Sequence, residues 1–370
     1  MTAALMSVDS ASRAPPLRSL HTPSFGPLLA ELNVSVLVST YQAGKLVILR
    51  ADDGVVNTHF RTFNAPMGIA CDGERLVVGT ALEIWEFHNV PAVARKLEAA
   101  GKHDACFLPR GSHVTGNVQV HEMAWADGEL WFVNTRFSCL ATRDVNLSFV
   151  PRWRPPFISV LAPEDRCHLN GLGLRHGQVR YVTALGETDT AGGWRADKKS
   201  GGILMDVPSG AVIARGLSMP HSPRWHDGRL WVLDSGNGGL SLVDETSGRI
   251  QNVATLPGFT RGLDFCGRFA FVGLSQVRET AVFSGITIAD LPERSSGVWV
   301  VDIVSGQTVA LLKFEDAVQE IFAVQVLPGR RYPDVINSNN ALIADSFVLA
   351  GEALADVAEP LRDPAVGRAS

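Results

Sequence analysis

The chain has 370 residues, 46% of them hydrophobic and 19% charged, and a net charge of −5. This composition excludes a disordered chain and a coiled coil, and the negative balance argues against nucleic acid as the partner. No stretch approaches the ~18 unbroken apolar residues of a membrane-spanning helix, so no membrane association is expected.

In chain order, residues 1–24 come first, with Ser7, Ser10, Ser12, Pro15, Pro16, Ser19 and Pro23. They lack an apolar core before a small-residue cleavage site, so they read as a flexible tail and not a secretory signal. A single domain is expected over residues 25–345, followed by a C-terminal tail, 346–370, with a short helix and a loose end. The five cysteines (Cys71, Cys106, Cys139, Cys167 and Cys266) are odd in number and show no Cys-x-x-Cys spacing. That speaks against a disulfide framework and a zinc knuckle, and it fits a reducing, cytoplasmic setting.

The central span repeats itself. Segments 65–73, 121–128, 170–177, 221–228 and 260–267 share an entry position, an apolar run and a tight turn. A β-rich run follows each, such as Leu130-Trp131-Phe132-Val133 and Leu230-Trp231-Val232-Leu233. A sixth copy, 319–326, has a longer turn at Leu327-Pro328-Gly329. Asp-Gly between apolar runs is a strong hairpin signal, because the turn needs φ > 0. A second hairpin recurs around Asp206–Gly210, Asp244–Gly248 and Asp302–Gly306. Two hairpins per repeat make four strands in about 50 residues, which is a propeller blade. The expected fold is therefore an all-β, six-bladed propeller. The sixth copy contributes only an inner strand, and the runs 36–40, 45–49 and 55–63 supply its outer strands, so both chain ends share one blade. Such closure removes the free edges between first and last blades.

In a propeller the six leading positions converge near the axis. They are Pro66/Met67, His121/Glu122, Asn170/Gly171, His221/Ser222, Thr260/Arg261 and Gln319/Glu320, with His168 just before the third. The ends of the second strands add Asn134, Arg136, Asp234, Gln276 and Arg278. The glycine-rich insertion 186–195, with Trp194, leaves the same face and is a candidate lid. Clustered polar groups at an apolar ring need a reason, since burying them unpaired is costly. Imidazole and carboxylate suit a divalent transition metal, so His121, His221 and Glu320 are the expected ligands of one Mn, Fe or Zn ion. Glu122 or His168 would move a proton, and Arg261 and Arg278 would hold a substrate carboxylate. Asn134, Arg136, Asn170, Asp234, Gln276 and Trp194 are expected to bind substrate. The bland alternative pairs Glu122 and Glu320 with Arg261 and Arg278 in a structural network. Trp125, Trp131, Trp225, Trp231 and Trp299 fall on strands and are expected in the core. Neither Gly-x-Ser-x-Gly, His-Glu-x-x-His, a phosphate loop nor a dinucleotide fingerprint is present.

The segments 216–225, 271–279 and 318–324 resemble a bacterial family of conserved hypothetical proteins, a domain of unknown function. The resemblance covers residues 25–345 and implies a shared fold without an activity. In architecture the expected propeller is similar to the gluconolactonase and paraoxonase group, which binds calcium without histidine. It is nearer in ligand type to the oligogalacturonate lyases, which hold manganese with histidines. These readings lead to a metal-assisted lyase or hydrolase of a small anionic substrate. The alternative is a non-catalytic propeller that binds a peptide, a glycan or a protein.

Overall fold

The computed structural model describes residues 17–277 and 284–359. Its strands form six sheets of antiparallel four-strand blades, and two of the sheets carry a fifth strand. We number the blades in chain order. Blade one is Ile69–Cys71, Arg75–Gly79, Glu83–Asn89 and Ala105–Val114; blade two is Val120–Ala126, Glu129–Asn134, Cys139–Asp144 and Leu147–Trp153. Blade three is Leu169–Arg175, Gln178–Ala184, Gly202–Asp206 and Val212–Leu217; blade four is His221–His226, Arg229–Asp234, Gly239–Val243 and Ile250–Thr255. Blade five is Phe259–Cys266, Phe269–Ser275, Ser296–Asp302 and Gln307–Phe314. Blade six joins Ala323–Pro328 to Val34–Ser39, Lys45–Asp52 and Val55–Thr62.

Each blade's first strand packs against the first strand of the next, and the series of contacts returns to its start. This is the six-bladed propeller that the repeat implies, with the expected shared blade. Val36 lies opposite Val326 and Val38 opposite Val324 in the closing pair. The turns follow from composition. At Asp127-Gly128 and Asp227-Gly228 both residues have positive φ, the type I′ geometry whose twist suits a two-residue hairpin.

Alternating side chains fill the spaces between blades. One apolar cluster runs from Phe25 and Leu29 through Val36 and Val38 to Val324 and Val326, joining the chain ends. Phe25 and Leu29 lie on the helix Phe25–Leu32 and are fully buried, each contributing about 1.5–3 kcal/mol by area. Trp231 and Trp299 are core residues as expected. Trp125, Trp131 and Trp225 are only half-buried. Their outer faces are covered by Arg75, Arg152 and Arg175, whose guanidinium carbons stand 3.8–4.8 Å from the ring centres. All five cysteines are free.

Two short strands extend the blades. Ser19–His21, inside the span expected to be tail, pairs with the outer strand of blade five. Pro333–Val335 runs parallel to the outer strand of blade one. Among the described residues no helix is long and apolar enough to cross a membrane.

Candidate functional site

The mouth of the channel holds a cavity of about 410 Å³. Five of the six leading positions deliver a lining side chain: Met67, His121, His221, Arg261 and Glu320. Blade three instead contributes His168. Its own leading residue, Asn170, is buried and turned into blade packing, donating to Pro220 O at 3.0 Å and accepting from Thr183 Oγ1 at 2.7 Å. Aromatic walls come from Trp194, Phe259, Phe322 and Tyr41.

His121 and His221 are built alike. The Nδ1–H of His121 donates to Gln119 O at 3.0 Å, and that of His221 to Met219 O at 2.8 Å. A carbonyl only accepts, so the proton must sit on Nδ1 in both rings. A hydroxyl fourteen residues on completes each arrangement: Thr135 Oγ1 at 2.7 Å and Ser235 Oγ at 3.0 Å. Thr135 itself donates to Leu169 O, so it accepts from the imidazole. Each Nε2 thus carries a lone pair, and neither is sealed from the cavity. Burial, reinforced by nearby His168 and Arg261, holds both imidazoles well below the usual pKa of 6.5. They are neutral at pH 7.

His168 is oriented by a carboxylate. Its Nδ1–H donates to Asp165 at 2.9 Å, and Asp165 also accepts from Trp194 Nε1 at 3.0 Å. The His168 ring stands edge-on to His121 with centroids 4.9 Å apart, and lies 4.6 Å from Trp194. Asp165 escaped the sequence reading because it sits on a loop outside the repeat. The Asp165-Arg166-Cys167-His168 spacing was the available signal.

Arg261 lies over the face of Phe322, its guanidinium carbon 3.6 Å from the ring centre. It makes no hydrogen bond or ion pair among the described residues. Desolvation lowers its pKa to about 10, so it remains a cation at neutral pH. Glu320, on the same cavity, likewise has no hydrogen bond or ion pair among the described residues, so the expected Glu320–Arg261 bridge is not formed.

The other expected site residues lie elsewhere. Glu122 is not at the cavity: one oxygen accepts from Leu172 N at 2.6 Å, the other from Arg224 at 2.7 Å. Asn134 and Asp234 cap turns, accepting from Phe137 N and Asn237 Nδ2. Arg136 points to the carbonyls of Pro163 and Asn117. Gln276 lines a separate groove with Arg294 and Lys313. Arg278 lies outside the described residues. The insertion 186–195 is docked as a wall: Asp189 accepts from Ser159 N and Arg166, and Gly192 N donates to Glu164 O. Ser159 and Arg166 together hold the Asp189 carboxyl down at about 2. The three expected metal ligands share the cavity, but no group of three His, Cys, Asp or Glu is placed to hold a metal ion among the described residues.

Among known proteins, the profile of a domain of unknown function, DUF4915, matches residues 23–336. No curated protein matches the chain. A chain of the nidogen–laminin complex is similar in structure, with a TM-score of 0.51 and 9% identity over 80% of this chain and 99% of that one. A protein of unknown function from Bacteroides caccae is also similar, at 0.51 and 11% identity over 79% and 98%. At such identities these two show the fold alone. Virginiamycin B lyase from Staphylococcus aureus aligns at 0.38 and 10% identity over 74% of each chain.

Proposed function

Since the chain belongs to the DUF4915 family, whose function is unassigned, we propose from the cavity itself that the mouth binds a small carboxylate and transfers a proton on it. The observation that carries this reading is Arg261: a largely desolvated cation with open donors, facing the cavity. Nearby Glu320 and Glu122 offset only part of the cost of desolvating this cation, and an anionic ligand in contact with its open donors offsets more. Stacking on Phe322 fixes the guanidinium plane, which leaves its edge for bidentate contact with a carboxylate.

His168 is the proton-transfer group in this reading. Asp165 holds its Nδ1–H and sets the ring's orientation, the role a carboxylate plays beside a catalytic imidazole. Abstraction of the proton next to a carboxylate, with a β-substituent leaving with its bonding pair as the double bond forms, is elimination; attack of an activated water that cleaves a bond to a leaving group is hydrolysis, and both belong to this arrangement. The reading routes no step through a metal ion, because the lining donors do not gather into a three-ligand set.

Isothermal titration with a panel of small carboxylates tests the anchor. Arg261→Gln should weaken every binding member by at least ~10-fold, as expected for loss of a charge-assisted pair. Unchanged affinity in a folded variant would remove Arg261 from the site.

A further inference from the structure

The same site carries information about the rest of its ligand. Resting on the reading of Arg261 as a carboxylate anchor, we infer that the ligand is a polyhydroxylated carboxylate whose hydroxyl groups donate to His121, His221 and Glu320.

The cavity presents Arg261 with open donors, Arg195 paired with Asp165 at 3.6 Å, and several open acceptors. The two imidazoles offer Nε2 lone pairs, since Nδ1–H is committed to Gln119 O in one case and to Met219 O in the other. Glu320 offers carboxylate oxygens without a hydrogen bond among the described residues. An acceptor facing the cavity takes its donor from water when the cavity is empty and from ligand hydroxyls that displace that water when it is filled.

The tautomer is built, not incidental. The same carbonyl two residues before and hydroxyl fourteen residues after recur at His121 in blade two and His221 in blade four. In both, the residue supplying the carbonyl is held at positive φ: Gln119 at 55° and Met219 at 48°. Tyr41, Asp165 and His168 are also at positive φ, so five lining residues occupy this sparsely populated region. Such strain clusters where the surroundings must hold a functional arrangement.

The number and placement of acceptors favour hydroxyls over an ammonium group. His121, His221 and Glu320 come from three different blades and no three such groups among the described residues converge on one point, whereas the three N–H donors of an ammonium all leave a single atom. A polyol spreads neutral donors along its length and adds no second cation beside Arg261.

The test compares three acids of equal chain length: D-gluconate, hexanoate and 6-aminohexanoate. Calorimetry on the unmodified protein should show gluconate binding at least ~10-fold more tightly than either partner, because a site built to accept hydroxyls rejects analogues lacking them. Equal affinities would overturn the inference while leaving the Arg261 anchor intact. Tightest binding of 6-aminohexanoate would overturn it in favour of an ammonium-bearing ligand. Binding of none of the three would defeat the anchor reading and this inference together.

Nitrogen-15 spectra of histidine-labelled protein give a readout that needs no substitution. Gluconate should shift two Nε2 resonances and leave their Nδ1–H partners protonated; unmoved Nε2 signals would contradict the assignment. His121→Phe and His221→Phe should each reduce gluconate affinity by a larger factor than hexanoate affinity; equal losses would contradict the assignment.

Discussion

At the scale of single residues, the mouth depends on groups kept in one protonation state. His121 and His221 are neutral in the fold, because burial outweighs any gain from charge. In the unfolded chain both titrate near 6.5. Their folded pKa values are depressed, so the stability tied to their neutral form is present above pH 6.5. It is lost as the pH falls from there toward the folded values, because the unfolded state binds more protons. The melting temperature should therefore drop between pH 7 and pH 5, and the His121→Phe/His221→Phe double variant should flatten that slope. An identical slope in the double variant would place its origin elsewhere. His168 is a different case, since its role lies in the reaction. In a turnover assay with any acid that the panel identifies, His168→Gln should lower kcat about 10²–10⁴-fold while KM changes little. Asp165→Asn should lower kcat in the same direction, because it removes the acceptor that fixes the ring's orientation.

At the scale of elements, the inner strands present backbone groups to a narrow channel, and side chains from neighbouring blades satisfy them. Leu172 in blade three donates its N–H to Glu122 of blade two, and its carbonyl accepts from Arg224 of blade four at 3.1 Å. Glu122 and Arg224 then pair with each other at 2.7 Å, which clips three blades together. Asp264 of blade five does similar work by accepting from Val326 N of blade six at 2.7 Å. Glu122→Ala would leave the Leu172 N–H without its acceptor and the Arg224 charge without its carboxylate. Chemical denaturation should record a loss of about 3–5 kcal/mol, with ligand affinity in the folded fraction unchanged. A marginal loss would show that Glu122 is not a structural clip. His121 and Glu122 are adjacent in sequence, yet one faces the mouth and the other the next blade. Side chains alternate along a strand, and the inner hairpins of blades two to five also break register at their mouth ends. Such bulges re-aim side chains, which is why residue type alone overstated Glu122 and Asn170 as site residues.

At the scale of the whole molecule, the ring is sealed twice. The first seal is the shared blade six, where residues from the two ends of the chain pair in register. The second is the strand Pro333–Val335, which pairs with blade one and reaches back to blade six. There Arg61 donates to both oxygens of Asp334 at 2.8 and 2.9 Å, and Arg50 donates to Pro333 O at 2.9 Å. Asp334→Ala should therefore cost about 1–3 kcal/mol, because Arg61 loses its carboxylate and keeps only the Val335 carbonyl. The loss should appear as a lower denaturant midpoint with an unchanged slope, because the ring still unfolds as one unit. Two separate transitions in the variant would show that the seam between blades six and one melts by itself.

The sequence by itself determined the six blades, their hairpin turns and the shared closing blade. Those features rest on local rules: Asp-Gly turns, alternating apolar runs and a motif that recurs every 39 to 59 residues. It also marked the leading positions from which Met67, His121, His221, Arg261 and Glu320 reach the mouth. Only the tertiary structure decided which of their neighbours join them. His168 and Trp194, both named from the sequence, are joined there by Asp165, from the loop that breaks the repeat, and by Phe322, the surface on which Arg261 lies. Each depends on strand twist, bulges and the packing of residues far apart in the chain, which no local pattern records.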